Sequence, residues 1–211
     1  MKRKLLGMLI ALFLLLSFTT FSFAKDVVTK NTKKNLKQNV EKATETKIDL
    51  PKEKQTSLGL YITAKEAFAN WYRYQDKVII LDIRTPEEYM LGGHATMAVN
   101  IPVKFLKKKI DFKKDKSIMS LNKKFVEKVK KKFKTSDIIM IMGRSGARSA
   151  VAVDMLAKAG FTKVYNIIDG FEGDKLNLPI SYKNGRRIVN GWKNSGAVWT
   201  EDVNPDLVYK P

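Results

Sequence analysis

The stretch Gly143-Arg144-Ser145-Gly146-Ala147-Arg148-Ser149 has residue types and spacing that could do chemistry. It follows the apolar run Ile138-Ile139-Met140-Ile141-Met142 and precedes a segment with helical spacing. It is therefore expected at the carboxyl end of a buried strand, where ligands bind in open α/β sheets. A loop entering a helix N terminus turns several backbone N–H groups inward, and the helix dipole adds attraction for an anion. Gly143 and Gly146 let the backbone curl, while Arg144 and Arg148 could supply bidentate contacts. Residues Gly143, Arg144, Ser145, Gly146, Ala147 and Arg148 thus form a candidate anion-binding loop. The pattern lacks Gly-Lys-Ser/Thr, so it is no Walker loop, and an ordinary strand-to-helix turn explains it equally well on the residues alone.

The rest of the composition removes whole classes of mechanism. The 211 residues contain no Cys, which excludes disulfides, thiolate metal sites and cysteine nucleophiles. His94 is the single histidine, so a multi-histidine metal site is also excluded, and no metal or cofactor is expected. Ser145 has no neighbouring base to activate its hydroxyl. Hydrophobic residues make up 44% and aromatics 10%, enough for a core. The balance of 40 Lys+Arg against 21 Asp+Glu, a formal charge of +19, predicts attraction to polyanions and says nothing about fold.

The elements that must position the loop can be read from periodicity. Thr63-Ala64-Lys65-Glu66 has capping-box spacing and opens an amphipathic helix to about Tyr72. Val78–Leu81 reads as a strand buried on both faces, ending in Asp82. Thr85-Pro86-Glu87-Glu88 is a second capping box with proline at the first helical position. Gly92-Gly93 ends that helix, and Ala98–Ile101 can form a short strand. Phe125, Val126, Val129 and Phe133 share one helical face. Ile138–Met142 is a second buried strand, Ser149–Ala159 a helix closed by Gly160, and Val164–Ile168 a further strand before Asp169-Gly170. Strands alternating with helices imply an α/β fold, a parallel sheet with helices on both faces.

Taken in order, several segments resemble a rhodanese domain of the secreted single-domain type. Leu81-Asp82-Ile83-Arg84-Thr85-Pro86-Glu87-Glu88-Tyr89, Gly93-His94 and Asn100-Ile101-Pro102 resemble its first half. The Arg-Ser-Gly-Ala-Arg-Ser loop, Gly160-Phe161, Val164-Tyr165-Asn166, Asp169-Gly170 and Gly191-Trp192 resemble the second. The resemblance implies a loop headed by a catalytic cysteine, which takes sulfur from a donor such as thiosulfate and passes it on from a persulfide. Gly143 occupies that cysteine position, so the resemblance implies no catalytic residue here. It also implies a structural turn at Gly93-His94. Asp82 and Arg84, near the loop, read as an ion pair or brace, so Asp82, Arg84 and His94 are supporting residues. Relative to compact members, residues 174–190 are extra.

Met1–Lys4 carries three positive charges, Leu5–Leu16 is apolar, and Ser22-Phe23-Ala24 has small residues where a signal peptidase cuts. The expected layout is a signal peptide over 1–24, a flexible lysine-rich lead over 25–57, a domain over 58–200 and a tail over 201–211. Cleavage between Ala24 and Lys25 would make the protein periplasmic or secreted. The expected function is a catalytically inactive rhodanese homologue that binds a small oxyanion, such as thiosulfate or sulfate, or an anionic group of a partner. Two other readings stay open. One is a thiosulfate-type sulfurtransferase by descent, which requires Cys at 143. The other is an envelope interaction module using the lysines between Lys104 and Lys134 against an anionic envelope surface. Those lysines read as a solvated helix face, and without aromatic interleaving no nucleic acid partner is expected.

Overall fold

The computed structural model describes residues 49–111 and 116–210; the signal segment expected over 1–24 and the lead up to residue 48 lie outside the described residues. Its centre is a five-stranded parallel sheet. In chain order the strands are β1 (Tyr61–Ile62), β2 (Val78–Asp82), β4 (Val99–Asn100), β7 (Ile138–Met142) and β8 (Val164–Ile167), and their spatial order is β1-β8-β7-β2-β4. The two apolar runs, β2 and β7, lie side by side with Val78 opposite Ile138 and Asp82 opposite Met142. That position explains their composition: strands covered on both faces have no polar side to show.

Among the described residues four α-helices cover the sheet: α1 (Ala64–Arg73), α2 (Pro86–Leu91), α3 (Phe125–Lys132) and α4 (Ala147–Lys158). Both capping boxes form, Thr63 with Glu66 and Thr85 with Glu88. Phe125 and Val129 of α3 pack with Ala152, Val153 and Leu156 of α4 over Leu81, Ile139 and Ile141. Across the sheet, Phe68 of α1 meets Trp192 edge-on at 5.7 Å.

Other segments depart from the expectations. The lysine block does not form one helix face. Lys104–Asp111 (β5) and Lys116–Leu121 (β6) pair as an antiparallel hairpin, and only the later lysines belong to α3. Helix α4 starts at Ala147, two residues before the expected Ser149, with Gly146 as its N-cap. Short strands β3 (His94–Ala95) and β9 (Trp199–Thr200) pair antiparallel at the end of the expected domain, and the expected tail docks on β4, where the Asn100 N–H donates to the Leu207 carbonyl. Residues 50–57 are packed on the domain rather than part of a free lead. Leu50 is buried, Lys54 pairs with Asp174, and the Ser57 N–H and Oγ both donate to Asp154. Composition alone misled here, because one buried leucine and a few fixed backbone bonds suffice to dock a polar segment. Among the described residues no helix is long and apolar enough to cross a membrane.

Candidate functional site: the loop between β7 and α4

The loop begins where β7 ends. Gly143 is buried, and Gly146 turns the chain into α4 with φ +95°. A side chain at Gly146 would drive its Cβ to 2.1 Å from the Ile168 carbonyl oxygen, so glycine is required by both conformation and space. The loop is held from outside by the segment after β8. Phe171 N–H donates to the Gly143 carbonyl at 2.8 Å, and Glu172 N–H to the Arg144 carbonyl at 3.0 Å. Gly170, at φ +62°, leaves the space this contact needs: a Cβ there would lie 2.5 Å from the Gly143 oxygen.

Gly143 itself does not have a left-handed backbone. A Cβ at this position would sit 3.2 Å from the Ser149 nitrogen, 3.4 Å from its Oγ and 3.5 Å from Ile83 Cδ1. A side chain could therefore enter with shifts of a few tenths of an ångström, and would start against the first turn of α4. Gly146 has no side chain to cap that turn, and among the described residues the N–H groups of Ala147, Arg148 and Ser149 have no protein acceptor. The Ser149 hydroxyl is occupied with the Gly146 carbonyl at 2.9 Å.

The two arginines of the loop are not equivalent. Arg148 is half-buried and forks onto Glu88, with Nη1 2.7 Å from Oε2 and Nη2 2.6 Å from Oε1. It differs from the expected free anion ligand, because its charge is already matched across to α2. Glu88 Oε2 also accepts the Thr85 N–H at 3.0 Å, so one carboxylate caps α2 and anchors the loop. Burial alone would raise the Glu88 carboxyl. The hydrogen bonds and charge of Arg148, with help from Thr85 and Arg84, outweigh this and hold it below its ordinary value. Arg144 is exposed and makes no ion pair or side-chain hydrogen bond among the described residues. Ser145 and Ala147 are half-buried beside it.

Asp82 and Arg84 lie under the loop, both fully buried, joined by three contacts of 2.7–3.1 Å. Arg84 also donates to the Gly93 carbonyl at 2.7 Å and lies 4.0 Å from the centre of the Phe171 ring. The pair thus braces the end of β2, the turn after α2 and the segment that clamps the loop. His94 is buried and stacked on Tyr89, rings 3.8 Å apart, with Nδ1 3.1 Å from the Tyr89 carbonyl. Burial lowers its pKa against the opposing effects of hydrogen bonds at Tyr89 and Asp202.

Sequence reading missed Glu88 as a member of the site and Gly170–Glu172 as its clamp. Glu88 was visible as a capping residue, and a carboxylate that closes a capping box carries no mark of a second partner 60 residues away. A cluster of three or more residues fit to hold a metal ion is absent among the described residues.

Comparison with known proteins agrees with this architecture. The Rhodanese-like domain family matches residues 66–176. The chain is 41% identical over 100 residues to "Thiosulfate sulfurtransferase 16, chloroplastic" of Arabidopsis thaliana, covering 47% of this chain and 76% of that protein. It is 34% identical over 108 residues to "Rhodanese-like domain-containing protein 15, chloroplastic" of the same plant, covering 51% of each. The crystal structure of Rv0390 from M. tuberculosis superposes with a TM-score of 0.52 at 22% identity, over 67% of this chain and 96% of that one, a likeness of fold. A match spanning β2, the braced Asp82–Arg84 turn, the β7–α4 loop and β8 leaves one assignment: this chain belongs to the rhodanese-like domain family.

Proposed function

We propose that this protein is an exported, catalytically inactive rhodanese homologue whose Gly143–Arg148 loop binds a small oxyanion such as thiosulfate or sulfate. One observation carries the reading. The first turn of α4 is uncapped, its N–H groups have no protein acceptor, and the residue beside it, Gly143, has no side chain. Those donors are worth most to an anion, because an amide at a helix N terminus carries part of the helix dipole. Arg144 is the side chain free to reach the ligand, and Arg148 acts indirectly by fixing the loop to Glu88. Sulfur transfer in the family requires a thiolate to attack the outer sulfur of thiosulfate and release sulfite. With no cysteine in the chain, that bond has no atom to form on.

Titration calorimetry with sulfate and thiosulfate should show weak binding. Arg144→Ala is expected to weaken it about tenfold, the loss of one charge-assisted contact of about 1.5 kcal/mol. Lys131→Ala on α3 should leave it unchanged. Equal losses in both variants would mean diffuse attraction and sink the loop as a site. In a sulfur-transfer assay the chain should give background rates, and Gly143→Cys should become persulfidated by thiosulfate. The thiol would sit at a helix N terminus near two arginines, which lowers a cysteine pKa from about 8.5. Activity in the unaltered chain would overturn the reading.

Export rests on the charge, apolar run and small residues of Met1–Ala24. Intact mass of protein from the envelope fraction should correspond to a chain beginning at Lys25. A retained 1–24 segment would refute cleavage.

A further inference from the structure

We propose that residues 174–190 form an arm that docks on an anionic membrane surface, inserting Ile180 and Tyr182 among the lipid headgroups. The proposal does not rest on the anion-binding reading of the loop.

The arm is built, not slack. Lys175 and Arg187 bridge antiparallel, Leu176 N–H donates to Arg186 O, and Gly185 N–H donates to Leu176 O, both at 2.8 Å. Toward the tip, Ser181 N–H bonds Leu178 O, Asn184 N–H bonds Ser181 O, and Leu178 N–H bonds the Asn184 side chain. The base is fastened by Arg187 to the Gly173 carbonyl at 2.6 Å and by Asn190 to Asp174. A segment with its backbone satisfied this way would normally bury its apolar side chains. This one presents them: Ile180 is 92% exposed, Tyr182 83%, Val189 55% and Leu178 45%. Ile180 and Tyr182 contribute almost no burial to the fold and leave apolar surface open to a partner.

Charge identifies the partner. The arm carries four cations, Lys175, Lys183, Arg186 and Arg187, against one carboxylate, Asp174 at its base, and of the four Arg187 is paired with Glu172 at 3.7 Å. Lys175, Lys183 and Arg186 are exposed. An apolar tip with an aromatic hydroxyl and a collar of cations matches the two layers of an anionic bilayer interface. A protein partner would have to offer an apolar slot with acidic walls shaped to a convex tip. A headgroup layer meets the same chemistry with no demand on shape. The formal charge of the chain beginning at Lys25, +19 less the three of Lys2, Arg3 and Lys4, or +16, adds long-range attraction to such a surface. The fixed backbone means that little ordering entropy opposes docking.

The absence of cysteine makes the test direct. A single Asn177→Cys in the full chain takes an environment-sensitive fluorophore on the arm, and Lys132→Cys takes it on α3 as a control. The probes are vesicles of phosphatidylcholine, with or without phosphatidylglycerol, carrying nitroxide-labelled lipid. The expected result is a blue shift and quenching at position 177 with anionic vesicles, reduced by salt and stronger than at position 132. The Ile180→Ser/Tyr182→Ser variant should weaken the arm signal about tenfold or more. Lys183→Glu/Arg186→Glu should abolish it, and circular dichroism of both variants should match the parent. Equal quenching at both label positions would overturn the proposal in favour of diffuse charge. So would a signal indifferent to the Ile180 and Tyr182 changes, or one given by polyglutamate and absent with vesicles.

Discussion

At the scale of single residues, Arg84 and Asp82 are two charges with no exposure, tolerable because their mutual fork and the Gly93 carbonyl replace lost water. Arg84→Met should leave the Asp82 carboxyl buried without its partner, at a cost of about 3–5 kcal/mol in urea unfolding. The double change Asp82→Leu/Arg84→Met should cost less than the single one, since it leaves no orphaned charge. Glu88 predicts how stability depends on pH. Its pKa in the folded protein lies below the ordinary 4.5, so the folded state favours the carboxylate. That stability is present above about pH 4.5 and is lost as pH falls through the folded value. Glu88→Gln should lower stability at pH 7 by about 1–3 kcal/mol and flatten the acid limb of the curve. His94 acts in a different window. Its lowered pKa makes protonation unfavourable in the fold, so stability should already begin to fall below its ordinary 6.5. Thermal melts of Glu88→Gln between pH 3 and 8 would separate the two contributions, because the His94 portion should survive the change.

At the scale of elements, two glycines bound helix α4 and serve different needs. Gly160 has φ +95° and open space around it, whereas Gly146 has the same φ with the Ile168 carbonyl against it. Gly160→Ala should cost about 1–2 kcal/mol, the strain of a left-handed residue. Gly146→Ala should cost more than that and should disturb the oxyanion binding proposed for the loop, which amide chemical shifts of Ala147–Ser149 in a sulfate titration would report. What was legible in the sequence follows the same division between local and distant causes. Both capping boxes, the two central strands and the α3 face were readable because each signal lies within one turn or one run. The hairpin of β5 and β6 was not, since its lysines mask the alternation and pairing alone makes it a strand. Two-residue strands such as β1, β3 and β9 have too little sequence to carry a period, and their partners define them. The loop was found from its glycines and arginines. Its real anchor, the Arg148–Glu88 pair, depends on α2 and α4 meeting, which no local pattern encodes.

At the scale of the whole molecule, the last residues close the edge of the sheet. Asn100 N–H of β4 donates to the Leu207 carbonyl at 2.7 Å, and the Tyr209 ring lies 5.6 Å from Phe105. Truncation after Val203 should therefore cost about 2–3 kcal/mol and speed amide exchange at Asn100. The opposite edge has a consequence in time. Among the described residues strand β1 pairs only with β8, Tyr61 opposite Asn166, so this hydrogen-bonding partner is made about a hundred residues later. Synthesis at about 5–20 residues per second leaves that strand waiting for roughly 5–20 s. Residues 50–57 wait with it, because the groups that fasten them, Asp154, Asn166 and Asp174, also come late. During synthesis β1 and residues 50–57 therefore pass through an extended interval in which they are made and unfastened, until β8 and its neighbours arrive to hold them.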